Sequence, residues 1–211
     1  MISKAIFLFC SLLVMLPICG NNVADFSKVS EKAQTDWFPL GEATICTDAG
    51  DYKVVNIAAQ MLADDVERVT SARSTKVSAT SFKKLPQGAT VVAGTVGHSR
   101  IIDELVRLKA IDVSAIKGKW ESYIITTVNR PKQKQLLVIA GSDRRGTAFG
   151  LTTLSETIGV SPWYWWTDVT PQHKKAIYVE PGTFVQGEPS VQYRGIFIKM
   201  SALEAGHDGQ N

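Results

Sequence analysis

The sequence predicts an α/β fold, α+β-like in its connections: a mixed β-sheet covered by helices. Three observations predict it. Helical stripes with apolar residues three and four apart alternate with short β-branched runs. Two of those runs, 121–128 and 136–140, flank a turn and read as a hairpin. One run, Leu136 to Ala140, is wholly apolar and reads as a central strand.

The elements follow in order. Ala43 to Thr47 reads as a short strand. The clearest helix comes next, with Val54, Ile57, Ala58, Met61, Leu62, Val66 and Val69 as its inward stripe and Asp51 as its N-cap. Thr90 to Thr95 is β-branched and lies among Gly88 and Gly94, so it reads as a strand. Gly97-His98-Ser99 opens a second helix with Ile101, Ile102, Leu105 and Leu108 inward. Glu121 to Val128 alternates as a strand, and Pro131 turns the chain toward Leu136. A third helix follows Asp143, with Ala148, Leu151, Leu154 and Ile158 inside and Gly159 beyond its last turn. Ile177 to Val179 is a weak strand, Pro181 to Pro189 reads as a linker, and Tyr193 to Ile198 reads as one more strand.

Residues 1–20 read as a signal peptide. Lys4 precedes an apolar run from Ala5 to Ile18, shorter than the roughly 20 residues a spanning helix needs. Export to the periplasm or the exterior is therefore expected. Leu16 to Gly20 also resembles a lipoprotein signal, which would acylate Cys19 and tether the domain at a cell surface, its one route to a membrane. Ile18, larger than the usual residue there, leaves cleavage without lipidation equally open. Residues 21–40 are read as a flexible leader, 41–181 as the α/β domain, and 182–211 as a linker and the start of a further domain.

Composition narrows the function. The net charge of +3 includes Lys4, and acids and bases are interspersed, so no nucleic-acid footprint is present. The chain has three cysteines, of which Cys10 and Cys19 lie in the signal; Cys46 reads as a buried structural thiol. The histidines fall at 98, 173 and 207, without ligand spacing, so no metal or cofactor is expected. No Gly-x-Ser-x-Gly elbow occurs.

Two features could carry chemistry. Gly141 to Thr147 is a strand-to-helix turn in which Asp143, Arg144 and Arg145 stand where backbone N–H groups and positive charge could hold an anion. The same residues suit a purely structural turn, capped by Asp143. The second feature is Pro162 to Trp166, where Trp163, Trp165 and Trp166 make three of the chain's five tryptophans. Their rings could stack on sugars or pack against a neighbouring domain.

Three stretches, Ile139 to Leu151, Leu154 to Glu156 and Ile158 to Val169, resemble the N-terminal domain of glycoside hydrolase family 115, the xylan α-1,2-glucuronidases. The resemblance continues from Glu188 to Ile198. It implies an exported enzyme that removes glucuronic acid or its 4-O-methyl ether from glucuronoxylan, with two acid–base carboxylates and inversion. It also implies an α/β domain followed by a (β/α)8 catalytic barrel, whose first strand Tyr193 to Ile198 matches. After Ile198 the family carries an acidic Asn-Asp-Glu motif, and this sequence reads Lys199-Met200-Ser201. The expectation is an accessory fragment that stops before the barrel, has no catalytic residue of its own, and meets glucuronoxylan or its oligosaccharides through the missing catalytic domain. A free-standing carbohydrate-binding or scaffold module is the alternative.

Overall fold

A computed structural model of the chain describes residues 29–130, 134–164 and 168–195. In chain order the elements are β1 (Val29–Ser30), β2 (Phe38–Pro39), β3 (Thr44–Asp48), α1 (Lys53–Thr70), β4 (Thr75–Ala79), β5 (Thr90–Thr95), α2 (Arg100–Arg107), β6 (Tyr123–Val128), β7 (Leu136–Gly141), α3 (Arg144–Thr157), β8 (Tyr178–Val179) and β9 (Thr183–Gln186). Six strands form the main sheet in the order β4-β3-β5-β7-β6-β9, and β1-β8-β2 form a small second sheet. Strands β4, β3, β5 and β7 run parallel to one another, whereas β6 runs antiparallel to both β7 and β9. The mixed sheet and the hairpin are as the sequence predicts, with Val128 opposite Leu136.

Strand alternation divides the core into two layers. Leu137 and Ile139 of β7 face one side with Leu62 and Val66 of α1 and Leu151 and Leu154 of α3. Leu136, Val138 and Ala140 face the other, against Ile101, Ile102 and Leu105 of α2. A strand buried on both faces has no need of polar alternation, so β7 can be apolar throughout.

Several elements differ from the sequence reading. The inward face of α1 is Val55, Ala58, Ala59, Leu62, Ala63, Val66 and Val69, so the stripe is turned by about one residue. Val54, Ile57 and Met61 point outward instead. Alanines at 58, 59 and 63 let the helix approach the sheet closely, and their small side chains understate that face in an apolar count. Asp51 is not the N-cap of α1; Tyr52 holds that position without a side-chain bond. Leu108 lies at the end of α2 and is exposed.

Strand β4 carries one buried residue, Ala79, so its pattern is faint. Strand β9 lies within the span read as a linker, yet Phe184 is buried and pairs across to Ile125. The described part of the span read as a flexible leader also enters the fold. Phe38 and Leu40 are fully buried, and β1 and β2 flank β8. Residues 193–195 are in no strand, and the rest of that expected strand lies outside the described residues.

Candidate functional site

The parallel strands β3, β5 and β7 all end on the same edge of the sheet, and each hands over to a turn before a helix. From β3 the chain crosses one way to β4 and returns on the other side to β5. Such a reversal opens a crevice at the strand ends, a common place for ligands in α/β sheets. Here the protein's own groups bond to one another at the strand ends. Asp48, at the end of β3, accepts from Gly50 N at 2.9 Å and Arg100 N at 2.8 Å. The Arg100 guanidinium grips both Asp48 oxygens, at 2.7 and 3.0 Å. The Arg100 bonds hold the Asp48 carboxyl below its ordinary range despite its burial. Asp51 accepts from Tyr52 N at 2.7 Å and from Thr95 N at 2.8 Å, which ties the β3 turn to the end of β5.

The turn after β7 is equally occupied. Asp143 caps α3, accepting from Arg145 N at 3.0 Å and Gly146 N at 2.7 Å. Its other oxygen accepts from Glu121 N at 2.9 Å. A carboxylate of the chain thus sits where an external anion would bind the helix start. Arg145 pairs with buried Glu121 at 2.8 Å, and Arg194 pairs with the other Glu121 oxygen. Arg144 is exposed and lies over the Tyr52 ring at 5.9 Å, while His98 stacks on that ring with centroids 3.9 Å apart. Glycines make the close packing possible: a Cβ on Gly146 would stand 2.3 Å from the Ser122 carbonyl oxygen.

Of the residues singled out in the sequence, Asp143, Arg144 and Arg145 come together at this edge. Trp163 lies away from that group and is 62 % exposed. Trp165, Trp166 and Cys19 fall outside the described residues. Cys46 is a free buried thiol, pushed up to about 11 by burial. The sequence reading missed the Asp48–Arg100 pair, the Tyr52–His98 stack and the Glu121 pairings. An acid at a strand end with a glycine two residues on was the only local signal for the first. Among the described residues, no group of three His, Cys, Asp or Glu side chains could hold a metal ion, and no helix is long and apolar enough to cross a membrane.

A separate recess of about 340 Å³ lies between α1 and α3. Met61, Asp65, Arg68, Ser155, Glu156 and Tyr164 help line it. Burial raises the Asp65 carboxyl above its ordinary value, and bonds from Ser155 and Arg68 oppose that.

No protein-family model matches the chain, and no curated protein does. Among solved structures, BtGH115A, a family GH115 4-O-methyl-α-glucuronidase with specificity for decorated arabinogalactans, matches with a TM-score of 0.61. The two are 33% identical over 74% of this chain.

The domain is GH115-like.

It spans 19% of the BtGH115A chain. CpGH84D also aligns, at 10% identity over 73% of this chain and 22% of its own, with a TM-score of 0.41, too distant to bear on function. In the GH115-like domain the acids at the strand ends, Asp48, Asp51, Glu121 and Asp143, all have partners within the fold.

Proposed function

We propose that this GH115-like domain is the non-catalytic α/β part of an exported enzyme that removes 4-O-methylglucuronic acid from decorated polysaccharide such as glucuronoxylan. The observation that carries the reading is the 33% identity to a 4-O-methyl-α-glucuronidase across most of this chain but a small part of that one. The chemistry agrees. Hydrolysis of a glycosidic bond needs two carboxylates about 5–10 Å apart, facing the sugar from opposite sides. The acids gathered at the strand ends are held by N–H groups and guanidinium groups, which suits structural work. In this reading the reacting carboxylates lie outside the described residues. The apolar run 5–18 would direct export, and Cys19 would be the point of attachment if a lipid is added.

The test is incubation of the full chain with glucuronoxylan and with decorated arabinogalactan. No release of 4-O-methylglucuronic acid is expected. Turnover by the chain alone would end the accessory reading.

Exposed Trp163 and exposed Arg144 favour a second reading, a module that binds acidic sugars. Calorimetric titration with aldouronic oligosaccharides, repeated on Arg144→Ala and Trp163→Ala, separates the two. Heat that both variants abolish would establish binding; none at millimolar sugar would dismiss it.

A further inference from the structure

Val54, Ile57 and Met61 stand three and four residues apart on α1, so they share one face. They are 38, 51 and 43% exposed. That face continues through Asp64, Asp65 and Arg68, which with Met61 line the recess between α1 and α3. Glu156 enters the same recess from α3. One continuous strip therefore runs from apolar to acidic. Isolated surface hydrophobes need no explanation, but a row of three along one helix face marks an interaction surface. Phe149 on α3 is also exposed.

The chemistry of the recess selects its occupant. Asp64, Asp65 and Glu156 bring three carboxylates, and Arg68 brings one guanidinium, which pairs with Asp65 and lies 4.6 Å over the Tyr164 ring. A basic side chain fits this balance, and the carboxylate of a sugar acid would meet like charge. The length relation adds a source. In BtGH115A the matched part is 19% of the chain, so there most of the chain lies outside the matched domain and could supply the occupant.

We propose that the outer face of α1, with the recess between α1 and α3, is the surface on which the catalytic part of a GH115 enzyme docks. An apolar ridge of that part lies along Val54, Ile57 and Met61, and a Lys or Arg side chain enters the recess at Asp65 and Glu156. The inference rests on the accessory reading above.

Paired substitutions in this chain and in BtGH115A test it. Ile57→Lys with Met61→Lys in this chain should move its melting temperature by no more than about 2 °C, because both side chains already meet water. Lysines at the superposed positions of BtGH115A should lower its melting temperature by about 5 °C or more, because there they would be buried in the docked interface. A further lysine at the position superposed on Glu156 should lower it again, by like-charge contact with the entering basic group. Equal shifts in the two proteins overturn the proposal, since the face is then equally open, or equally internal, in both. A third lysine without added effect overturns the basic-group half. Sedimentation of this chain that shows a dimer dissolved by the two lysines gives the face to a second copy and overturns it as well. Each of these failures leaves the accessory reading standing, which falls only if the chain hydrolyses polysaccharide by itself.

Discussion

Arg100 stands at the first position of α2 and closes its guanidinium on both oxygens of Asp48, at the end of β3, while its own backbone N–H donates to the same carboxylate. The pair spans the reversal point of the sheet and fixes the start of α2 against β3. Asp48 has no exposed side-chain surface, whereas Arg100 remains largely in water.

The pair makes stability depend on acid. The Asp48 carboxyl titrates below its unfolded value, so the folded state prefers it ionised. Its contribution is complete above the unfolded pKa, near 4, and is lost as pH falls through the lower folded value. The urea stability of the wild type should therefore fall below about pH 4 more steeply than that of Asp48→Asn. Parallel slopes would show that Asp48 is not the group responsible. At pH 7, Asp48→Ala should cost about 2 kcal/mol or more, because four donors, two backbone and two guanidinium, lose their acceptor.

Glu121 joins three parts of the chain: its own turn, Arg145 of α3 and Arg194 of the C-terminal segment. It also adopts a left-handed conformation, at φ 52°. Glu121→Ala should destabilise by about 2 kcal/mol, a cost limited by the water that still reaches both arginines. Trypsin should cleave after Arg194 faster in the variant than in the wild type at temperatures where both are folded. Unchanged cleavage would mean that the ion pair does not hold the segment.

Gly146 is required by distance. An alanine methyl would stand 2.3 Å from the Ser122 carbonyl oxygen and within 3.1 Å of the backbone carbons of Glu121 and Ser122, none of which can rotate away. Gly146→Ala should cost about 3 kcal/mol, read as a lower urea midpoint. Gly88→Ala, which meets nothing within 4 Å, is the control. A mild effect at Gly146 would show that β6 and α3 can separate there.

Cys46 should resist alkylation. Burial raises its pKa to about 11, so little thiolate forms at pH 8 and none of it is accessible. Iodoacetamide should label Cys46 only as fast as the protein unfolds. The raised folded value also implies that stability falls as pH climbs from about 9 toward 11, because the unfolded thiol ionises first. Rapid native labelling at pH 8 would contradict the buried placement.

The parts of this fold that were legible in the sequence are those whose signal is local. Strand β7 reads as central because five apolar residues stand together, and α3 reads from Asp143 and the leucines behind it. Strand β9 was hidden because Gly182 and Gly187 bracket it and only Phe184 is buried. The outward turn of Val54, Ile57 and Met61 was hidden for another reason. Periodicity gives the width of a stripe, and alanines give it little weight, so its centre is set by the sheet beneath. At the strand ends, the turn with Asp143, Arg144 and Arg145 was visible, but Arg145's partner Glu121 lies across a hairpin. Asp48 and Arg100 are 52 residues apart, a pairing that only the parallel register brings about.

Strand β8 lies between β1 and β2, so residues 178–179 are the middle rung of a sheet whose outer rungs are 29–30 and 38–39. Leu40 and Gly41 likewise donate to the Ile177 carbonyl. Residues 29–39 therefore wait, during synthesis, until nearly the whole domain has emerged. Until then Phe38 and Leu40 have no lid, and a chaperone has something to hold. This short middle rung acts as a clasp on residues 29–30 and 38–39, and pulse-labelling of nascent chains stopped before and after residue 179 would time its closing.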